Sequence, residues 1–74
     1  MNEWRKTWGI NIQVARRRRN LTQRALADLL GVSQAAVGRW ETGVSVPTDA
    51  HKIAIATALD EDVRTLFPLT RGML

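Results

Sequence analysis

Apolar residues recur along this chain at the spacing of one face of a helix. The sets are Trp8, Ile12 and Ala15; Leu26, Ala27 and Leu30; Val37 and Trp40; Ile53, Ile55, Ala56 and Leu59; and Val63, Leu66 and Phe67. This period is typical of helices that bury one side. No stretch alternates apolar and polar residues for long, so strands are not expected.

Residues that begin or end helices separate these sets. Side chains that can cap a helix N-terminus precede several of them, at Thr22, Ser33, Thr48 and Asp62. Gly31 and Gly43 can end a helix in the left-handed conformation, and Pro68 ends the last one. The pattern predicts an all-α domain of five helices. We place its core at residues 9–67, between an N-terminal extension (1–8) and a tail (68–74).

The second and third predicted helices, at about 22–30 and 33–42, are separated only by a very short connection. Gly31, Val32 and the cap Ser33 are the whole of it. A connection this short cannot form an antiparallel hairpin and forces the two helices to cross steeply. Ala27 is small where the crossing helix must approach. This is the pattern of a helix-turn-helix.

Composition excludes several other classes of protein. The 74 residues contain no cysteine and one histidine, His51, so disulfides and zinc sites are not expected. Ser33 and Ser45 have no neighbouring base, and Asp60–Asp62 lacks the spacing of a calcium loop. No apolar run approaches the roughly 18 residues of a membrane span. We expect a cytoplasmic, nucleoid-associated protein that is not an enzyme and needs no metal or cofactor.

Charge is distributed unevenly along the chain, whose net charge is +4. Residues 1–24 contain seven basic residues and one acid, Glu3, whereas residues 49–62 contain four acids and Lys52. A basic surface of this kind suits a polyanion such as DNA. The alternative is that the arginines only solvate a helix, and charge alone does not decide between the two.

The helix-turn-helix segment and its flanks resemble the Cro/lambda-repressor (XRE) family. The residues that carry the resemblance are Leu21, Thr22, Gln23, Leu26, Ala27, Leu30, Gly31, Val32, Ser33, Gln34, Val37, Trp40, Glu41, Thr42, Gly43 and Pro47. It extends from about Gly9 to Phe67. It implies a five-helix lambda-repressor-like fold and a transcriptional regulator of phage or prokaryotic type, most simply a repressor that binds a palindromic operator as a homodimer.

The resemblance implies that the helix beginning at Gln34 enters the major groove. Its implied base contacts are Gln34, Ala35, Gly38 and Arg39. The side chains suit these contacts. The Gln34 amide can pair with adenine, the Arg39 guanidinium with guanine, and the Ala35 methyl group can contact the thymine methyl. The alternative is that Gln34 is a solvated first-turn residue and Arg39 a surface charge.

Phosphate contacts are implied on either side of that helix. We expect them at Thr22, Gln23, Arg24, Arg17, Arg18, Ser33, Thr42, Val44 and Ser45, with Arg19 as a further candidate. Gln23 opens a helix whose free amides can bind a phosphate oxygen. The loop after the helix that begins at Gln34 contains no Lys or Arg, so this loop is expected to contribute little to the affinity for DNA.

Some residues are predicted to have structural roles. In the family, an arginine at the position of Arg16 pairs with a glutamate at the position of Glu41. The resemblance therefore implies an Arg16–Glu41 ion pair here. Trp8 and Trp40 are expected in the core rather than stacked on bases, and Trp4 is left undecided. Lys52 stands where an apolar residue is common, and Leu29 where a polar one is usual.

Two surfaces are candidates for protein contacts. Relatives often dimerise through the last helix, which suggests dimer contacts at Leu66, Leu69, Met73 and Leu74; a frayed end is the alternative. Ile10 and Val14 form an unexpected apolar pair on the first helix. These surfaces keep two other functions open: an antitoxin that binds a protein toxin and represses its own operon, and an interaction module that binds no DNA.

Overall fold

The computed structural model describes residues 3–69, and these form five helices with no strand among them. They are α1 (Glu3–Arg18), α2 (Gln23–Leu30), α3 (Gln34–Thr42), α4 (Asp49–Leu59) and α5 (Val63–Leu66). Within that range no helix combines the length and the apolar composition needed to cross a membrane. The predicted five-helix order is therefore confirmed.

Side-chain caps begin the helices where the sequence places them. The hydroxyls of Thr22, Ser33 and Thr48 each accept a hydrogen bond from the amide three residues later, at 3.0, 3.1 and 3.2 Å. Each of these bonds satisfies one of the amides that a helix N-terminus leaves without a partner. The Asp62 carboxylate caps α5 by accepting from the Arg64 amide at 2.7 Å.

Left-handed residues end the middle three helices. Gly31 and Gly43 have φ values of 69° and 80°, as a glycine C-cap requires. Asp60 ends α4 at φ 53° although it is not a glycine. An aspartate tolerates this conformation better than most residues.

A single apolar core joins all five helices. Its completely buried members are Ile12, Leu26, Val37, Ile55 and Leu59, and the aromatic rings of Trp8, Trp40 and Phe67 surround them. Trp4, undecided from the sequence, is half-buried, and its ring centre lies 4.8 Å from that of Trp8 in an edge-to-face arrangement. The expected burial of Ile53 is wrong: its side chain is 61% exposed, because α4 turns Ile55, Ala56 and Leu59 inward instead.

Helices α1 and α3 pack backbone to backbone at Gly9, a position that the sequence pattern did not identify. A methyl group added to Gly9 would lie 2.7 Å from the Trp40 carbonyl oxygen and nearer still to that of Glu41. Only glycine allows this approach. The close packing fixes α3 against the long helix α1, so α3 is presented on a rigid support.

Candidate nucleic-acid interface

Helix α3 has one buried and one exposed face. Val37, Trp40 and Glu41 point into the protein. Gln34, Ala35 and Arg39 are exposed on the other side, and Gly38 is half-buried between the two faces. Within residues 3–69, the side chains of Gln34 and Arg39 form neither a hydrogen bond nor an ion pair, so both can bind an external partner.

A buried polar cluster holds this face in position. The Arg16 guanidinium donates to the Glu41 carboxylate through Nε at 2.6 Å and through Nη2 at 3.0 Å, and to the Leu21 carbonyl at 2.7 Å. Both charged side chains are almost completely buried. The pair that the family resemblance implies is thus present, and it connects α1, α3 and the loop before α2. Removing one partner of such a pair would leave an uncompensated buried charge.

Gln23 takes part in the same cluster, which its assignment as a phosphate contact did not anticipate. Its Nε2 donates to Glu41 Oε1 at 3.1 Å, so one N–H of the amide remains for a ligand. The side chain also lies beside the exposed face of α3, since a methyl group at Gly38 would be 3.8 Å from its Oε1. The first residue of α2 and the middle of α3 therefore form one continuous surface.

The polar groups that end α3 are largely used within the protein. The Thr42 hydroxyl donates back to the Gly38 carbonyl at 3.0 Å. The amides of Val44 and Ser45 donate to the Arg39 carbonyl at 3.0 and 3.3 Å. In this conformation neither Thr42 nor Val44 has a donor left for phosphate. The Thr42 hydroxyl proton is used, and Val44 has only its bonded amide because its side chain is apolar. Of the three residues expected to contact phosphate here, only the Ser45 hydroxyl keeps that capacity.

Comparison with known proteins identifies this arrangement. A family model described as helix-turn-helix, HTH_3, matches residues 12–66. The chain belongs to the helix-turn-helix family. The crystal structure of the restriction-modification controller protein C.AhdI from Aeromonas hydrophila is similar, with a TM-score of 0.79 and 32% sequence identity, over 84% of this chain and 94% of that one. Among curated proteins no sequence matches.

Membership of this family confirms the Cro/lambda-repressor resemblance and the function class. The chain is a DNA-binding transcriptional regulator and not an enzyme. Family and fold also agree on the motif: α2 and α3 are the two helices of the helix-turn-helix, joined by the turn at Gly31 and Val32.

The cations of this helix-turn-helix protein divide into two groups. Four are in ion pairs, in which Arg16 binds Glu41, Arg19 binds Asp60, Lys52 binds Asp49 and Arg64 binds Asp62. Among residues 3–69, the cations without an ion pair are Arg5, Lys6, Arg17, Arg18, Arg24 and Arg39. All of them lie on α1, α2 and α3. Among the described residues, positive charge is therefore free only on the half of the domain that includes the helix-turn-helix.

Arg19 is partly engaged within the protein, through two of its five guanidinium N–H groups. Its Nε donates to the Leu59 carbonyl at 3.1 Å and its Nη2 to the Asp60 carboxylate at 3.1 Å. It thus fastens the end of α1 to the end of α4. Arg17, Arg18 and Arg24 are exposed and keep their guanidinium groups free within the described chain.

The surfaces suggested for protein contacts differ in exposure. The dimer contact predicted at Leu66 is not possible in this conformation. Leu66 is 2% exposed and packs in the core of its own chain, so it offers no surface to a partner. Leu69 is 76% exposed, and Ile10 and Val14 are 54% and 43% exposed. Met73 and Leu74 lie outside the described residues. Lys52 is half-buried, with its ammonium group 4.4 Å from the Trp8 ring centre, which explains how a charge replaces an apolar residue there.

Proposed function

We propose that this protein is a repressor that binds a palindromic operator as a homodimer, with α3 of each copy in the major groove. The observation that carries the proposal is the exposed face of α3. It offers an unengaged amide at Gln34 and an unengaged guanidinium at Arg39, on a helix held rigidly by Gly9 and by the Arg16–Glu41 pair.

Base recognition follows from the chemistry of that face. The Gln34 amide can donate to N7 and accept from N6 of adenine, and the Arg39 fork can donate to O6 and N7 of guanine. Ala35 offers a methyl group that fits the thymine methyl. Gln34 lies in the first turn of α3, which in this motif contacts base edges.

Gly38 supports a close approach of α3 to DNA. A glycine in a helix costs about 1 kcal/mol relative to alanine. Nothing in residues 3–69 requires it, because an added methyl group would meet only ordinary van der Waals distances, 3.8 and 4.0 Å from the Gln23 amide. A ligand that packs against this spot would require it.

Phosphate contacts come from both ends of the motif. Gln23 keeps one amide N–H, and the hydroxyls of Thr22 and Ser33 can still donate a proton while they accept from their helix amides. We place Arg17, Arg18, Arg24 and the Ser45 hydroxyl in the same role. These contacts fix the position of the protein on the duplex without distinguishing sequences.

The proposal is tested by selecting bound duplexes from a randomised library at near-physiological salt. The wild type should enrich a palindrome with half-sites about one helical turn apart. The Gln34→Ala, Arg39→Ala double variant should enrich none, whereas Arg64→Ala, which removes a distant exposed cation, should enrich the same motif. If wild type and double variant enrich nothing, α3 does not recognise bases, and a protein partner at Ile10 and Val14 becomes the leading function.

Repression itself is tested by placing the selected site across a promoter. Bound protein should block the polymerase by occupancy, so transcription should fall as protein is added. Transcription that rises with protein would instead make the chain an activator.

A further inference from the structure

The first turn of α1 lies directly against the turn that ends α3. A methyl group added at Gly43 would be 3.2 Å from the Arg5 carbonyl carbon and 3.2 Å from the Lys6 nitrogen. Glycine is therefore favoured at position 43 for two reasons, this tight contact and its φ of 80°. No sequence pattern predicts this contact between residues so far apart in the chain.

The loop at Thr42–Ser45 lacks the groups that bind phosphate strongly. It contains no Lys or Arg, and its Val44 and Ser45 amides are bonded to the Arg39 carbonyl. One hydroxyl, that of Ser45, remains. Charge-assisted bonds to phosphate are about twice as strong as neutral ones, so a loop of this kind binds a phosphate weakly by itself.

The backbone of Arg5 and Lys6 lies beside this loop, and each of these residues carries a cation. Both side chains are exposed, and within residues 3–69 neither forms an ion pair. Arg5 lies one helical turn before Gly9, on the side of α1 that faces α3, and long side chains of a helix extend toward its N-terminus. Its guanidinium lies 5.5 Å from the Trp4 ring centre, which holds it at this end of α1.

We propose that Arg5 and Lys6 each bind a DNA backbone phosphate next to the loop after α3, and so supply the charge that this loop lacks. This inference rests on the proposed function, because it requires α3 to lie in the major groove. It extends the DNA-binding surface from the helix-turn-helix to the first turn of α1, and it gives that turn a function as well as a place in the packing.

The test compares wild type with the Arg5→Gln, Lys6→Gln double variant, on the selected duplex and on an unrelated duplex of equal length. Each lost phosphate contact reduces the slope of log affinity against log salt by about 0.9. The variant loses two such contacts per bound copy, so between 0.05 and 0.2 M salt the wild-type affinity should fall about tenfold more per bound copy than that of the variant, or about a hundredfold more for a homodimer. The loss should be equal on both duplexes, since phosphate contacts are independent of sequence.

Two controls separate this contact from net charge and from folding. Arg64→Gln removes a cation from α5, on the far side of the core, and should leave the salt slope within a few tenths of the wild-type value. Lys6→Gln alone leaves the Arg5–Trp4 contact intact, so it remains informative if the double variant unfolds. Circular dichroism should show the wild-type helix content for each variant used.

The outcomes are distinct for the two proposals. A wild-type protein that selects a motif, together with a double variant of unchanged salt slope, would overturn the role of Arg5 and Lys6 alone. A loss confined to the selected duplex would overturn it too, since that pattern belongs to base contacts. A wild type that selects no motif would overturn the proposed function, and this inference with it.

Discussion

Gly9 and Gly38 are both helical glycines, yet their surroundings are opposite. Gly9 is buried where the backbones of α1 and α3 touch, and an added methyl group would overlap carbonyl oxygens of Trp40 and Glu41. Gly38 has room for the same methyl group within the protein. One substitution at two positions therefore separates what the fold requires from what a ligand requires.

Gly9→Ala should destabilise the protein. Backbone cannot move aside as a flexible side chain does, so overpacking should cost about 1–3 kcal/mol, more than the roughly 1 kcal/mol gained in helix propensity. Urea denaturation followed by tryptophan fluorescence measures the change. A variant as stable as the wild type would show that α1 and α3 are not in backbone contact.

Gly38→Ala should raise the free energy of unfolding by up to about 1 kcal/mol, because alanine is the better helix former and meets no overlap. DNA binding should nevertheless weaken, since the methyl group would stand between α3 and the groove. Unfolding and duplex titration on the same sample give both numbers. A stabilised variant with undiminished affinity would show that DNA does not approach Gly38.

At the scale of elements, local chemistry determined what could be predicted. Side-chain and backbone chemistry alone predicts where these helices begin and end. The N-terminal caps are Thr22, Ser33 and Asp62, and the glycines that end helices are Gly31 and Gly43. Which face of α4 is buried could not be predicted in the same way. Ile53 and Ile55 are both apolar, and only packing against the other helices determines which one is buried.

The site shows the same division. The exposed face of α3 followed from the helical period, but the hydrogen bond of Gln23 to Glu41 and the contact of Gly43 with α1 depend on tertiary packing. The bonding of the Val44 and Ser45 amides to the Arg39 carbonyl likewise appears only once the turn has formed. The family resemblance contributed the Arg16–Glu41 pair, which periodicity alone does not specify.

Ser33 combines a cap with a proposed phosphate contact, and two substitutions separate these roles. Ser33→Ala should lose about 1 kcal/mol of stability with the cap. Ser33→Asp should keep the cap, and with it the stability, while its charge repels phosphate and weakens binding equally on all duplexes. An aspartate variant that binds DNA like the wild type would reduce Ser33 to a cap.

Across the described part of the molecule, paired and unpaired cations lie on different sides. The ion pairs of Arg19, Lys52 and Arg64 lie around α4 and α5, whereas the free cations lie on α1 to α3. The α4–α5 side also carries exposed Ile53 and Leu69, and a shallow groove of about 460 Å³ lined in part by Ile53 and Val63. This side is net acidic, with Asp49, Asp60, Glu61 and Asp62 against Lys52 and Arg64, so DNA does not attract it. We propose that it forms the contact between two copies while the basic sides face DNA.

Pairing through that side predicts two copies of the 8.3 kDa chain on one palindromic duplex. Ile53→Glu combined with Leu69→Glu should leave one copy per duplex, because the carboxylates would be buried against each other. Ile10→Glu, a change at an exposed apolar residue of α1, should leave two. Native mass spectrometry counts the copies, and a single wild-type copy on the palindrome would exclude the homodimer.

The central claim is that α3 recognises bases through its exposed face, and Arg39→Ala tests it most directly. Affinities of wild type and variant should be measured by fluorescence anisotropy on the selected duplex and on every single-base-pair change of one half-site. The variant should lose about 1–3 kcal/mol on the selected duplex and should no longer discriminate at one base pair, keeping its preferences elsewhere. An equal loss on every duplex would contradict the claim and make Arg39 a phosphate contact.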